Sequence, residues 1–255
     1  MITRTRANWP LSHYYGRVLA DGPTLFWPMD QWTGPVIQDL TINTNNGTPN
    51  TIAFVAGSPI DPQAACIYFN GSSSYITIPS PSFGNYPTSG STSSYSISVE
   101  VWFKTSGGVI LAQCSSPATP GGSAPSGYVP AIYVDTTGAL RVSVFWFGSA
   151  SDQIVANGPF NDGKWHHVVA TYNNGTETLY VDSAQSGTYT GSQTSYASAY
   201  VYFLGTGETT NWANTPSGWF YFTGNIALFS VYPYALSAPQ VLAHYNAART
   251  GLVGV

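Results

Sequence analysis

Apolar and polar residues alternate most regularly between Ser96 and Lys104. Ile97, Val99, Val101 and Phe103 fall on one side, and Ser98, Glu100, Trp102 and Lys104 on the other. Successive side chains of a strand point to opposite faces, so this segment predicts a strand whose first set faces a core. Glu100 and Trp102 then lie on the second face. There they are candidates for a ligand-facing surface, with packing beneath a covering loop as the alternative for Trp102.

A second organised stretch, NDGKWHHVVATYNNGTETLYVD, runs from Asn161 to Asp182. Its Asn-Asp-Gly and Asn-Asn-Gly triplets supply the positive φ of tight turns, and its Val, Thr and Tyr residues suit a pleated surface. It predicts a turn, a strand from Trp165 to Tyr172, a turn at Asn173-Asn174-Gly175 and a strand ending at Asp182. Further strands are predicted at Leu25 to Trp27 and as a pair around Asn70-Gly71 within Ala65 to Ile78. Another pair flanks Thr137-Gly138 (Pro130 to Asp135, Ala139 to Phe147), and the last are Tyr200 to Leu204, Trp219 to Phe222 and Gly224 to Tyr232. Pro79 to Ser94 and the low-complexity Ser115 to Gly127 read as surface loops. One helix is predicted: Ser237-Ala-Pro-Gln240 fits a capping box and Gly251 follows its end. Val241, Leu242 and Tyr245 would form its apolar face and close one end of the sandwich.

The pattern is that of an all-β antiparallel two-sheet sandwich with one short C-terminal helix. The 255 residues fit a single domain of this class, read as an arm over residues 1–13, a body over 14–250 and a tail over 251–255. Only 7% of residues are charged, against roughly 25% in an average soluble domain, which points to life in an assembly or outside the cell. The net charge of −4 and the absence of a Lys/Arg cluster argue against nucleic acid as a partner. The opening residues contain arginines without an apolar run behind them, so no signal peptide is predicted, and no run is long enough to insert in a membrane. Cys66 and Cys114 allow one disulfide or two thiols. Arg4, Arg6 and Trp9 in the arm are candidate assembly contacts.

Four ordered pieces carry a family resemblance: TLFWPMD with FNGSSSYITIP, YSISVEVWFK, DGKWHHVVATYNNGTETLYVD, and FTGNIALFSVYPYALSAPQVLAHYNAA. Together they resemble the laminin-G-like, concanavalin-A-like lectin jelly-roll domains over roughly Tyr14 to Ala248. With YGRVLADGPTLFWPMD ahead of that body, the chain is similar to minor tail or capsid-surface proteins of tailed bacteriophages of Actinobacteria. The resemblance implies the jelly-roll fold. Because one fold hosts many activities, function is read from the site.

The residues themselves narrow the chemistry. Glucanases of this fold alternate carboxylates along one strand, and a retaining glycosidase needs its pair about 5–5.5 Å apart. Glu100, Glu177 and Glu208 are far apart in sequence, and Val101 and Trp102 follow Glu100, so that motif is absent. His166 and His167 are consecutive in a strand, point to opposite faces and cannot chelate one ion together; they read as structural. Asp39, Asn43 and Asn45 offer oxygens of the kind Ca²⁺ takes. However, the acidic positions the family uses are Asn70, Ser73, Ser74 and Ile226-Ala227-Leu228 here, so no cofactor is expected, with Ca²⁺ as the alternative. For carbohydrate, which needs aromatic platforms beside amides, Trp212 and Asn214 are the most attractive pair, while Trp146 and Trp219 read as core.

The expected function is thus a non-enzymatic virion structural protein of a tailed phage, located in the virion after assembly in the host cytoplasm. Its partners would be other virion proteins, copies of itself and host-surface carbohydrate. A carbohydrate-binding or adhesion module of a bacterial surface protein is the alternative, and a glycan-degrading enzyme is the least favoured reading.

Overall fold

The computed structural model describes residues 13–83, 95–191 and 200–250. Among them lie fourteen strands and two helices. The strands are β1 (Leu25–Trp27), β2 (Thr48–Asn50), β3 (Ala53–Ala56), β4 (Ala65–Asn70), β5 (Tyr75–Ile78), β6 (Ser96–Ser115), β7 (Tyr128–Val134), β8 (Leu140–Val142), β9 (Ile154–Ala156), β10 (His166–Asn173), β11 (Thr176–Val181), β12 (Ala184–Thr190), β13 (Tyr200–Leu204) and β14 (Thr223–Tyr232). The helices are α1 (His13–Ala20) and α2 (Ala238–Thr250). The predicted arm contacts Arg4, Arg6 and Trp9, the tail, and most of the Pro79 to Ser94 connector lie outside the described residues.

All pairing is antiparallel, and the 20-residue β6 organises it. Its first half pairs with β10 and β14 in one sheet, ordered β12-β11-β10-β6-β14, with β1 and β4 beyond β14 and β3 beyond β4. Its second half pairs with β13 and β7 in the other, ordered β2-β5-β13-β6-β7-β8-β9. The result is the sandwich expected from the alternation. Ile97, Val99, Val101 and Phe103 lie in the main core, with residues such as Ile67, Val168, Leu204 and Ile132 from both sheets.

The passage of β6 from sheet to sheet requires glycine. Gly107 and Gly108 have φ of +139° and +116°, and a Cβ on Gly108 would lie 2.4 Å from the Cα of Phe222. The Thr105 hydroxyl fixes this corner by donating to the carbonyl of Thr223 at 2.7 Å and accepting the amide of Gly107 at 2.8 Å. The Asn174-Gly175 hairpin forms as predicted, both residues having positive φ. The pair around Asn70-Gly71 also forms, but it crosses between sheets: β4 pairs with β14 and β5 with β13.

Four expectations differ from the structure. The strand predicted at Ala139 to Phe147 is only Leu140–Val142. A second helix, α1, is present. It is short, contains Gly16, and depends on burying Tyr14, Tyr15 and Val18 rather than on propensity. Residues 219–222 are not a strand; they return along residues 205–209, with Phe220 N–H donating to Gly207 O at 2.8 Å and Phe222 N–H to Gly205 O at 2.9 Å. In α2 the capping box forms, with Ser237 N–H donating to Gln240 Oε1 at 3.0 Å. Leu242, however, is 46% exposed, and His244 occupies the interior instead.

Candidate functional site

Both helices lie on the outer face of the first sheet, over a second core that includes Tyr14, Val18, Trp102, Val169, Tyr232 and Val241. This overturns the reading of Glu100 as ligand-facing and bears out the packed alternative for Trp102, with helices rather than a loop as the cover. Both are on the second face, as the alternation required, but that face is roofed. Trp102 is buried in a cluster with His167 (4.8 Å) and Tyr245 (5.7 Å), whose own rings are 5.8 Å apart.

Glu100 is wholly buried and saturated. Its Oε1 accepts from Tyr14 Oη and pairs with His167 Nε2, both at 2.8 Å; its Oε2 accepts from Tyr232 Oη at 2.7 Å and pairs with His244 Nδ1 at 2.8 Å. His244 continues through Nε2 to Asp21 Oδ2 at 2.8 Å. Burial alone would raise the Glu100 carboxyl, but the charge of His244 and the hydrogen bonds from His167 and His244 hold it well below the carboxylate range. Burial alone would likewise lower His244, but Glu100 and Asp21 raise it. The cluster joins β6, α1 and α2 in one ionic network.

The other two glutamates sit in separate networks. Glu177 is buried and accepts the amide of Val144 at 2.6 Å, and burial pushes its carboxyl up to about 8. Glu208 is buried and accepts from the amide of Thr210 at 3.1 Å. His166 and His167 diverge as predicted, His166 to Asp162 and Asp182 and His167 to Glu100. Among the described residues no group of three or more His, Cys, Asp or Glu side chains could hold a metal ion.

The loop bearing Asp39, Asn43 and Asn45 does not fit Ca²⁺. Asp39 accepts the amides of Phe26, Thr41 and Asn45, and Asn43 and Asn45 turn their amide nitrogens, not their oxygens, to the carbonyl of Thr24. These groups knit the loop together. Cys66 and Cys114 are free buried thiols.

Trp212 and Asn214 are near one another but do not form an open platform. Trp212 is buried against Trp146, ring centroids 5.8 Å apart. Asn214 is exposed, and its side-chain amide is spent on Asp135 Oδ2 at 3.2 Å. Asp135 also binds Arg141 at 2.7 Å, so the whole group locks the β7–β8 turn to the 205–222 loop.

The open aromatic surface lies elsewhere, on the outer face of the second sheet. Tyr75 of β5 and Trp219 of the returning loop both meet the buried ring of Phe203 edge-on, at 5.7 and 6.0 Å. Trp219 Nε1–H donates to the carbonyl of Gly122 at 2.9 Å, which fixes the indole against the 116–127 loop. A Cβ on Gly121 would lie 3.0 Å from the hydroxyl of Tyr221, so Tyr221 borders the same loop. Tyr75, Trp219 and Tyr221 are half-buried, and Asn50, exposed, is the cross-strand partner of Tyr75. This is a ledge of oriented rings beside an amide. Its signal in the sequence is the period-two placement of Tyr75 opposite Ile76 and Ile78. Trp219, expected in the core, lies outside it because its segment is an irregular return rather than a strand.

No match to a curated protein sequence was found. Solved structures of similar fold include domain 4 of AbnA, a GH43 extracellular arabinanase from Geobacillus stearothermophilus, in complex with arabinotriose. It is 19% identical with a TM-score of 0.52, over 88% of this chain and 98% of that one. The binding domain of Paraclostridial Mosquitocidal Protein 1 is 16% identical with a TM-score of 0.55, over 90% of this chain and 53% of that one. A mutant of Trypanosoma rangeli sialidase displaying trans-sialidase activity is 13% identical with a TM-score of 0.61, over 93% and 34%. The chain therefore spans about a third of the sialidase and about half of the mosquitocidal binding domain, and these likenesses concern fold alone. The family model for the concanavalin A-like lectin/glucanases superfamily matches residues 70–242, and the chain belongs to that family.

Proposed function

We propose that this chain is a non-catalytic recognition module that takes neutral carbohydrate on the Tyr75–Trp219–Tyr221 ledge. The observation that carries the reading is the fixed orientation of Trp219, held by the carbonyl of Gly122 and by Phe203. Rigid aromatic faces beside a polar group are what sugar rings pack on. Each glutamate is buried in its own network, which favours binding over hydrolysis. The arabinanase domain of similar fold was solved with arabinotriose, which supports a neutral oligosaccharide as the ligand class.

The setting we propose is the surface of a tailed-phage virion, where the module contacts host glycan and neighbouring virion proteins. Its support is the similarity of the YGRVLADGPTLFWPMD segment and the charge content of 7%. Two experiments test the reading. Titration with arabinotriose and other neutral oligosaccharides should show binding without sugar release, reduced about tenfold or more by Trp219→Ala (about 1.4 kcal/mol per decade). Native mass spectrometry should find the chain in a large particle at fixed stoichiometry; a lone monomer would remove the virion setting and favour an adhesion module.

A further inference from the structure

Seven Lys and Arg residues serve the whole chain, and among the described residues they are Arg17, Lys104, Arg141, Lys164 and Arg249. Arg17, Arg141 and Lys164 are each bound to a carboxylate, within 3.2 Å. The remaining two, Lys104 and Arg249, form no ion pair among the described residues, and both sit over aromatic rings on the outer face of the first sheet. The Lys104 ammonium is 5.7 Å from the centre of the Trp165 ring, and the Arg249 guanidinium is 5.4 Å from that of Tyr245.

Strand register brings these groups together. Tyr68, Asn225 and Lys104 are successive cross-strand partners on β4, β14 and β6. Trp165 immediately precedes His166, the partner of Phe103, and its indole N–H donates to the carbonyl of Gly57 at 3.0 Å, which pins the ring beside the β3–β4 edge. Tyr245 stacks parallel on Trp102, two residues along β6 from Lys104 and so about 7 Å away on the same face. Tyr68 is 39% exposed, and Asn225, Lys104 and Trp165 are half-buried. The row therefore presents two rings, an amide and an uncompensated ammonium, with a guanidinium at its margin.

We infer that this row is a second binding site, distinct from the ledge, for an acidic saccharide. One sugar carboxylate would meet Lys104 and another, along the face, Arg249, while ring faces pack on Trp165 and Tyr68 and a hydroxyl meets Asn225 Oδ1, the Asn225 nitrogen being held by Cys66 Sγ at 3.4 Å. A half-buried cation that has no carboxylate partner among the described residues is complementary to an anion. The flanking aromatic rings match the apolar faces of a sugar better than a bare inorganic ion.

The test uses the full chain and uronic-acid trisaccharides (trigalacturonate and a glucuronate-containing trisaccharide), with their carboxyl-reduced forms as neutral counterparts, in isothermal titration at low and at physiological salt. At least one acidic probe should bind, at least tenfold more tightly than its reduced form and more weakly as salt rises. Lys104→Met should weaken it about tenfold or more, Trp165→Ala comparably, and Trp219→Ala not at all. Unchanged melting of Lys104→Met checks that the fold is intact. The inference is overturned if neither acidic probe binds, if the reduced forms bind equally, or if Lys104→Met leaves binding unchanged. Loss through Trp219→Ala instead would move the acidic sugar to the ledge and equally overturn it. Failure of arabinotriose to bind the ledge would count against the proposed function alone.

Discussion

Glu100 and His244, separated by 144 residues in sequence, meet at 2.8 Å through Oε2 and Nδ1 in the layer where α2 lies on the first sheet. Because His244 also reaches Asp21 at 2.8 Å, one imidazole ties a β6 carboxylate to the end of α1. The helices of this sandwich are thus bonded to it by charge as well as by apolar packing.

Removing one partner should be costly. Glu100→Ala strips the acceptor from two tyrosine hydroxyls and leaves two histidines buried without their carboxylate. Breaking a buried ion pair from one side costs about 3–5 kcal/mol. Urea unfolding should show a loss of that size, with far smaller loss for an exposed change such as Lys164→Ala, whose surface pair is worth about 0–1 kcal/mol.

The same network sets a pH dependence. His244 is raised in the folded state, so its contribution is fully present below the unfolded value of about 6.5 and is lost as pH rises through the higher folded value. Glu100 is lowered, so its contribution is present above its unfolded value of about 4.3 and is lost as pH falls through the lower folded value. Both act together between about pH 4.3 and 6.5. Melting curves should show this stabilisation greatest there, and His244→Ala should flatten the decline on the alkaline side.

The alternation from Ile97 to Phe103, the Asn174-Gly175 turn and the Ser237 capping box were legible because each is a local signal: a period, a φ requirement, a side chain reaching three residues. What covers a face is not local. Nothing around Glu100 or Trp102 distinguishes a strand face open to solvent from one roofed by α1 and α2, since the roof comes from residues roughly 80 positions earlier and more than 130 later. Gly16 and paired tyrosines hid α1 for the same reason, because its stability comes from Glu100, Phe26 and Asp30 rather than from its own sequence. Trp219 and Trp212 show the converse: in one irregular loop, the side chains that turn outward are decided by contacts with Phe203 and Trp146, which no periodicity records.

The β6 corner tolerates no side chain. Gly108→Ala places a Cβ 2.4 Å from the Cα of Phe222 and 2.5 Å from the carbonyl oxygen of Tyr221, at a φ of +116°. Both obstacles are backbone, so neither can rotate away. The variant should lose about 3 kcal/mol or more, in the range reserved for strain and overpacking. Gly163→Ala, where a Cβ meets nothing within 4 Å but φ is +74°, should lose about 1–2 kcal/mol, the cost of an L side chain in the left-handed region. Chemical denaturation of the two side by side checks the ordering.

Calcium removal should change nothing in the Asp39 loop. Its oxygens already accept from Phe26, Thr41 and Asn45, and a cation there would have to displace those amides. Melting temperature in excess chelator and in millimolar Ca²⁺ should agree, whereas Asp39→Ala should destabilise by about 1–3 kcal/mol through the amides left without an acceptor. A calcium-dependent rise in melting temperature that Asp39→Ala abolishes would refute this reading of the loop.

Glu177 should respond to pH with a sign opposite to that of Glu100. Among the described residues it has no charged partner in contact and its Oε2 finds no hydrogen bond, and burial raises its carboxyl to about 8. The folded state therefore keeps a proton that the unfolded chain releases above about 4.3, and stability contributed by this site falls steadily as pH rises between those values. Glu177→Gln keeps an oxygen for the amide of Val144 and removes the ionisation. The variant should match the parent near pH 4, where the parent carboxyl is largely protonated in both states. At pH 8 it should exceed the parent by about 2 kcal/mol or more, since holding a proton against a tenfold drop in its concentration costs about 1.36 kcal/mol. Unfolding curves of the pair across that range decide it: parallel pH profiles would mean that Glu177 is ionised in the folded protein and that its surroundings accommodate the charge.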